Sequence, residues 1–236
     1  MQRPESIENC WDILYRDYPE VYEAFSNTPY HPTVYEQLRE IIDLRGKCIA
    51  DVGAGTGNSS RALAQNAQTV IAIEYEPAMM RIAREKALAA VQDEAERHVT
   101  YLSGDALALP LADNSVDVVT AITLALYPPE QYRVFIREGL RVARGPVVYL
   151  GIPPGGYGGD LYDVIEDVEK VDDIVDRIFL EEFQYAYQDI FTVQEYGSLE
   201  HIVSTYGFIF GKKAIEYLKS EKKTSIHWKF RVYWRE

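Results

Sequence analysis

Residues 51–60 read Asp-Val-Gly-Ala-Gly-Thr-Gly-Asn-Ser-Ser, preceded by the run KCIADV and followed by the helical pattern RALAQNA. Glycines at 53, 55 and 57, between a strand pattern and a helix pattern, let some ligand approach the main chain closely. The first question is which ligand. A dinucleotide turn, Gly-x-Gly-x-x-Gly, has its third glycine where this chain has Asn58, and a P-loop needs a Gly-Lys-Ser/Thr that does not follow. The turn fails both phosphate patterns. Glu74 closes the next apolar run, VIAIE, and Asp105 follows Ser103-Gly104 after the one beyond it. In a wound parallel sheet such strand ends form the ligand edge. There a Glu can accept from both hydroxyls of a ribose. An Asp can accept from the exocyclic amine of a purine, with a neighbouring main-chain N–H donating to the ring. Together they describe an adenosine site without phosphate; a plain tight turn and a solvated strand end are the competing readings.

These residues need a frame. Ser6–Phe25 has a helical pattern, and Pro32 suits the first position of a second helix running to about Asp43. Strand patterns cover Lys47–Val52, Thr69–Glu74, Val99–Leu102, Ser115–Ala121 and Pro146–Gly151. Helical patterns cover about Gly57–Asn66, Pro77–Glu94 and Pro129–Ala143. Strand and helix alternate, which argues for a doubly wound, mainly parallel α/β sheet. From residue 152 a Gly/Pro-rich loop leads into an acidic helix over 160–182, whose stripe Leu161, Val164, Ile165, Val168, Val171, Val175 and Ile178 invites a partner, for example a second copy in a homodimer. Phe183–Phe191 is suited to an extended stretch. Thr192-Val-Gln-Glu195 fits a capping box and Gly207 a helix stop. Ile226–Arg235 alternates apolar and polar residues, as a half-buried strand does, and pairs most simply with Phe208–Leu218 as an antiparallel hairpin.

The 236 residues carry a net charge of −13, divided as −18 over 1–206 and +5 over 207–236. So acidic a surface repels phosphate backbones, which makes nucleic acid an unlikely partner despite the basic tail. Cys10 and Cys48 are far apart, and Cys48 lies in an apolar run, as a buried free thiol would. No secretory leader opens the chain, and no apolar stretch has membrane-spanning length. A cytoplasmic protein with no membrane partner is expected.

Four blocks now resemble a known family: DVGAGTG, Glu74 after VIAI, GDALALPLADNSVDVVTA, and EGLRVARGPVVYLG. They resemble the class I S-adenosylmethionine-dependent methyltransferases, in their small-molecule branch. The resemblance implies a Rossmann-like, mainly parallel seven-stranded sheet with an antiparallel C-terminal hairpin. N-terminal helices and a helical insertion after the fifth strand would cap it. One domain would fill 1–236: a helical cap over 1–45, a cofactor core over 46–151, a cap insertion over 152–191, and a helix and hairpin over 192–236. It further implies that Asp51 and the turn Gly53, Ala54, Gly55, Thr56, Gly57 hold the methionine part of S-adenosylmethionine. Glu74 would bind the ribose, with Tyr75 and Met79 flanking the ribose or the adenine. Gly104, Asp105 and Ala106 would read the adenine edge, and Ala121, Ile122 and Thr123 would lie near the sulfur. The chain departs from the family twice: Leu126-Tyr127 stands where many relatives have a His, and Arg144-Gly145-Pro146 replaces a Pro-Gly-Gly turn.

The implied reaction is in-line transfer of methyl to an O, N or C atom of a small molecule, leaving S-adenosylhomocysteine. Positioning supplies most of such catalysis. His31 is the candidate base, and an exposed loop histidine is its plainer reading. Tyr15, Tyr22, Tyr30, Tyr127 and Tyr157 are the candidate substrate contacts, since tyrosine walls suit aromatic, amphipathic or amine acceptors. No metal is expected, because Asp172-Asp173 sits on a solvated acidic face. A non-catalytic cofactor-binding relative and an NAD-dependent oxidoreductase are the alternatives; Asn58 argues against the second.

Overall fold

Apolar β-branched runs between helices pair in parallel at the centre of one sheet. The structure, a computed structural model, describes residues 10–90, 92–154 and 173–235. Tyr157, the start of the first expected helix, and residues 160–172 of the acidic helix, with five of the seven stripe residues, lie outside the described residues; Val175 and Ile178 of the stripe are buried in the chain's own core. The strands are β1 Tyr30–His31, β2 Cys48–Val52, β3 Thr69–Glu74, β4 Val99–Ser103, β5 Val118–Ile122, β6 Val147–Gly151, β7 Ala186–Glu195 and β8 Ser225–Arg235. They run in the order β1-β7-β8-β6-β5-β2-β3-β4. Strands β2 to β6 pair in parallel, and β8 lies antiparallel to both β6 and β7. The expected wound sheet with an antiparallel C-terminal pair is present. Its eighth strand is the two-residue β1, which pairs Tyr30 with Gln194 and His31 with Val193 at the edge.

The helices are α1 Cys10–Asp17, α2 Pro19–Ser26, α3 Val34–Ile41, α4 Asn58–Ala64, α5 Pro77–Ala89, α6 Tyr132–Val142, α7 Ile174–Asp176, α8 Leu199–Ile202, α9 Phe208–Phe210 and α10 Lys212–Glu221. The single helix expected over 6–25 is broken at Tyr18. Pro19 opens α2 there, because proline has no N–H and its ring excludes a continuing helix. The cap of α3 is Thr33, one residue past Pro32. Its hydroxyl accepts from Glu36 N at 3.1 Å while the Glu36 carboxylate accepts from Thr33 N at 3.0 Å.

The largest correction is at the C-terminus. β8 pairs with β7, from Ala186 opposite Trp234 to Glu195 opposite Ser225, while α9 and α10, either side of Gly211, take up 208–218. Thr192–Glu195 is strand rather than cap, and Ser198 caps instead, accepting from His201 N at 3.1 Å. Gly207 stays helical at φ −62°, and the chain turns at Gly211, φ +93°. The local cap pattern loses to long-range pairing, because Ile190, Thr192 and Gln194 alternate inward and are buried against the sheet's neighbours.

Both sheet faces are covered. One packs under Leu38 of α3, Leu63 of α4 and Leu218 of α10, with Trp228 and Phe230 of β8 beneath. The other packs under Phe135 and Ile136 of α6, with Phe179 against Tyr149 of β6 and Tyr233 of β8. Each large apolar side chain buried this way stabilises by about 1.5–3 kcal/mol. No helix among the described residues is long and apolar enough to cross a membrane.

Candidate functional site

β2 delivers the glycine turn to the carboxyl edge of the sheet, where Gly53 N and Ala54 N donate to Ile73 O at 2.9 and 3.0 Å. Gly53, Gly55 and Gly57 take φ of +71°, +57° and +81°, which a side chain resists. At Gly57 an added Cβ would also lie 2.9 Å from Tyr101 Oη. At Gly55 it would meet Met79 Cε at 3.5 Å and Tyr22 Cε1 at 3.7 Å, so Met79 and Tyr22 both face that residue at contact range.

Asp51 lies fully buried beneath the turn. Its Oδ2 accepts from the hydroxyls of Ser59 at 2.6 Å and Ser60 at 2.7 Å, and its Oδ1 from Thr120 at 3.0 Å. Burial pushes its carboxyl above the usual range, and the three hydroxyls oppose that. Asp51 therefore pins the start of α4 to β2 and β5 from below. It has no open face for a ligand.

Glu74 accepts from Gly55 N through Oε2 and from Glu76 N through Oε1, both at 2.7 Å. A carboxylate oxygen has two lone pairs, so each oxygen can accept once more. Burial pushes the Glu74 carboxyl above its ordinary range, against the pull of those N–H donors. On the neighbouring strand Ser103 is in register with Glu74. Asp105 is exposed there, and its Oδ1 accepts from Leu107 N at 2.8 Å, leaving Oδ2 toward solvent. Gly104 is required by packing: an added Cβ would lie 2.7 Å from Pro110 Cγ and 2.9 Å from Ile73 Cγ2. The Gly-Asp-Ala…Leu-Pro spacing is thus a proline folded back onto a glycine. Ala106 and Met79 are buried, while Tyr75 is exposed.

A cavity of about 200 Å³ opens beside the turn. Its wall brings together Gly53, Ala54 and Thr56 with Ile122 and Thr123, and adds Tyr15, Tyr22 and Tyr30 from the N-terminal elements. Gly55, Gly57, Glu74, Tyr75, Met79, Gly104, Asp105 and Ala106 lie outside this wall. Met79 and Glu74 both meet the turn at Gly55, between the wall residues Ala54 and Thr56 in sequence. Ala121 is buried behind. His31 is exposed on β1 and Tyr127 is exposed after β5; neither is in the wall.

Sequence reasoning did not single out several wall residues as site residues. Trp11, Tyr35, Leu124, Tyr132 and Tyr149 belong to it, and eleven of its side chains are aromatic, so ring faces and edges make up much of its surface. Leu124 Cδ1 lies 2.7 Å from where a Gly53 Cβ would be. Leu124 O accepts from the Tyr132 hydroxyl at 2.8 Å and the Tyr149 hydroxyl at 3.2 Å. Leu126 N donates to Tyr132 Oη at 3.3 Å, and the two hydroxyls lie 3.0 Å apart. Two tyrosines, from α6 and β6, thus clamp the segment Leu124–Leu126. Their separation of 17 residues left no local signal.

Residues 49–145 match the family model described as a methyltransferase domain. A demethylmenaquinone methyltransferase of Lactococcus lactis is 25% identical over 228 residues, covering 91% of this chain and 85% of that protein. An uncharacterized methyltransferase of Mycobacteroides abscessus is 37% identical over 108 residues, 46% of this chain; the match spans only 40% of that relative's length. Among solved structures, one assigned to an antibiotic-biosynthesis methyltransferase of Anabaena variabilis has a TM-score of 0.62 at 21% identity, over 89% of this chain and 98% of that one. The [4+2]-cyclase SpnF has a TM-score of 0.58 at 20% identity, over 85% of this chain and 78% of that one. At these identities the structures show a shared fold.

Proposed function

We propose that this chain is a class I S-adenosylmethionine-dependent methyltransferase, and that it moves the methyl group of S-adenosylmethionine to an O, N or C atom of a small molecule held in the aromatic cavity. In this reading the four segments act as one cytoplasmic domain and release S-adenosylhomocysteine. One observation carries it: Gly55 N donates to the Glu74 carboxylate at 2.7 Å, which ties Glu74 to the glycine turn. It supports reading Glu74 as a ribose acceptor beside the turn, with Asp105, just past the neighbouring strand β4, as the amine acceptor.

The donor set suits the cofactor. Glu74 keeps lone pairs for two hydroxyls, Asp105 Oδ2 for an exocyclic amine, and the turn offers bare main chain without a P-loop lysine. The methionine end would rest on Gly53, Ala54 and Thr56, the part of the turn that lines the cavity. When bound, the cofactor supplies a methyl group already activated on a sulfonium. The chain's residues orient and enclose the acceptor, which in favourable cases lowers a barrier by about 7–11 kcal/mol. A base would add roughly 10²–10⁴-fold. His31 lies outside the wall, so this reading relies on positioning.

The aromatic wall, and the name of the Lactococcus relative, favour a planar ring-bearing acceptor. The methyltransferase-like fold of a cyclase keeps one rival open, a relative that performs no methyl transfer. To separate them, the purified protein would be incubated with methyl-tritiated S-adenosylmethionine and an apolar small-molecule extract. Protein-dependent label in an extracted compound, suppressed by S-adenosylhomocysteine, is expected. Cofactor binding with no label in any fraction would favour the rival.

A further inference from the structure

Asn58, the residue that spoils the dinucleotide pattern, is the centre of a polar knot. Its Oδ1 accepts from Lys86 Nζ of α5 at 2.6 Å and from Arg61 Nη2 at 2.8 Å. Its Nδ2 donates to Ser26 Oγ at 3.0 Å and Glu23 Oε2 at 3.2 Å, both on α2; a third contact, to Thr56 Oγ1 at 3.4 Å, is the weakest. The two cations meet the amide oxygen and the carboxylate meets the amide nitrogen, so the amide orientation is self-consistent. Lys86 Nζ also pairs directly with Glu23 Oε1. These two side chains are only 25% and 20% exposed, so water replaces a lost partner poorly.

The knot joins the cap to the turn. α2 carries Glu23 and Ser26 on its polar side, and its Tyr22 reaches across Gly55. A second tie, Arg81 to Glu20 at 2.9 Å, is exposed, and such pairs hold little. We propose that Asn58, Glu23 and Lys86 form a latch that holds α2 down on the glycine turn and sets how fast a ligand enters and leaves it. The ligand half of this rests on reading the turn as the cofactor site. The three side chains are positioning residues: they fix Tyr22 over Gly55 and take no part in methyl transfer.

The test compares the wild type with Lys86→Met, Glu23→Gln, the charge-reversed double variant Glu23→Lys/Lys86→Glu, and Arg81→Met as an exposed-tie control. Two readouts are needed. Amide hydrogen exchange over residues 23–28 is measured without ligand, and S-adenosylhomocysteine dissociation is followed by the fluorescence of Trp11, a cavity-wall residue. Lys86→Met and Glu23→Gln are expected to exchange and to release ligand at least tenfold faster. The reversed pair recovers most of that loss, and Arg81→Met changes either rate less than twofold. Unchanged exchange over 23–28 in both single variants overturns the latch, as does unchanged dissociation from variants that bind. Should the wild type bind no S-adenosylhomocysteine, the cofactor reading fails by itself, and the exchange data alone decide whether α2 is latched. If a single variant does not fold, the reversed pair decides: wild-type rates support the latch, and fast rates overturn it.

Discussion

At the scale of residues, main-chain N–H groups of Gly55 and Glu76 hold the Glu74 carboxylate against the glycine turn, and both partners lie at strand ends that local spacing marks. The burial of Asp51 was not legible. Ser59, Ser60 and Thr120 cap it, and Thr120 comes from a strand 69 residues away. Two predictions belong here. Glu74 must be ionised to accept from two ribose hydroxyls, and burial places its folded pKa above the ordinary 4.5. Affinity for S-adenosylhomocysteine should therefore be full at higher pH and fall as pH drops through that raised value. Glu74→Gln, which cannot ionise, should bind weakly with no such acid limb; calorimetry from pH 5 to 8 reads both. Gly57→Ala imposes a side chain at φ +81° and 2.9 Å from Tyr101 Oη. We expect a loss of about 1–3 kcal/mol in urea unfolding.

At the scale of elements, the wound half of the sheet could be read from the sequence. Its strands are short, apolar and spaced by helices with their own punctuation. The C-terminal half could not be read to the same depth. β7 has the polar Thr192 and Gln194 on its buried side, so its alternation is invisible to apolar counting. Gln194 is satisfied only in three dimensions, donating to Phe25 O at 2.8 Å and accepting from Trp228 Nε1 at 3.0 Å. The tyrosine clamp after β5 likewise joins α6 to β6. Removing either hydroxyl, as Tyr132→Phe or Tyr149→Phe, leaves Leu124 O one donor and should cost about 0.5–1.5 kcal/mol. The double variant strands the carbonyl and should cost more than the sum, which a double-mutant cycle in urea would show.

At the scale of the whole molecule, charge and cavity point to a small partner. The chain carries −18 over 1–206, and its +5 over 207–236 is partly spent in pairs such as Lys229 and Arg231 with Asp189. We expect no retention of single-stranded RNA in mobility-shift assays at physiological salt; micromolar retention would contradict this reading of the charge. The central claim is that the glycine turn, Glu74 and Asp105 together hold an adenosyl sulfonium and no pyrophosphate. Calorimetric titration of the purified protein with S-adenosylmethionine, S-adenosylhomocysteine and NAD, alongside Glu74→Ala, tests it most directly. The account predicts that both adenosyl compounds bind the wild type, that Glu74→Ala loses them, and that NAD gives no heat. Binding of NAD alone, or of the adenosyl compounds undiminished in Glu74→Ala, would contradict it.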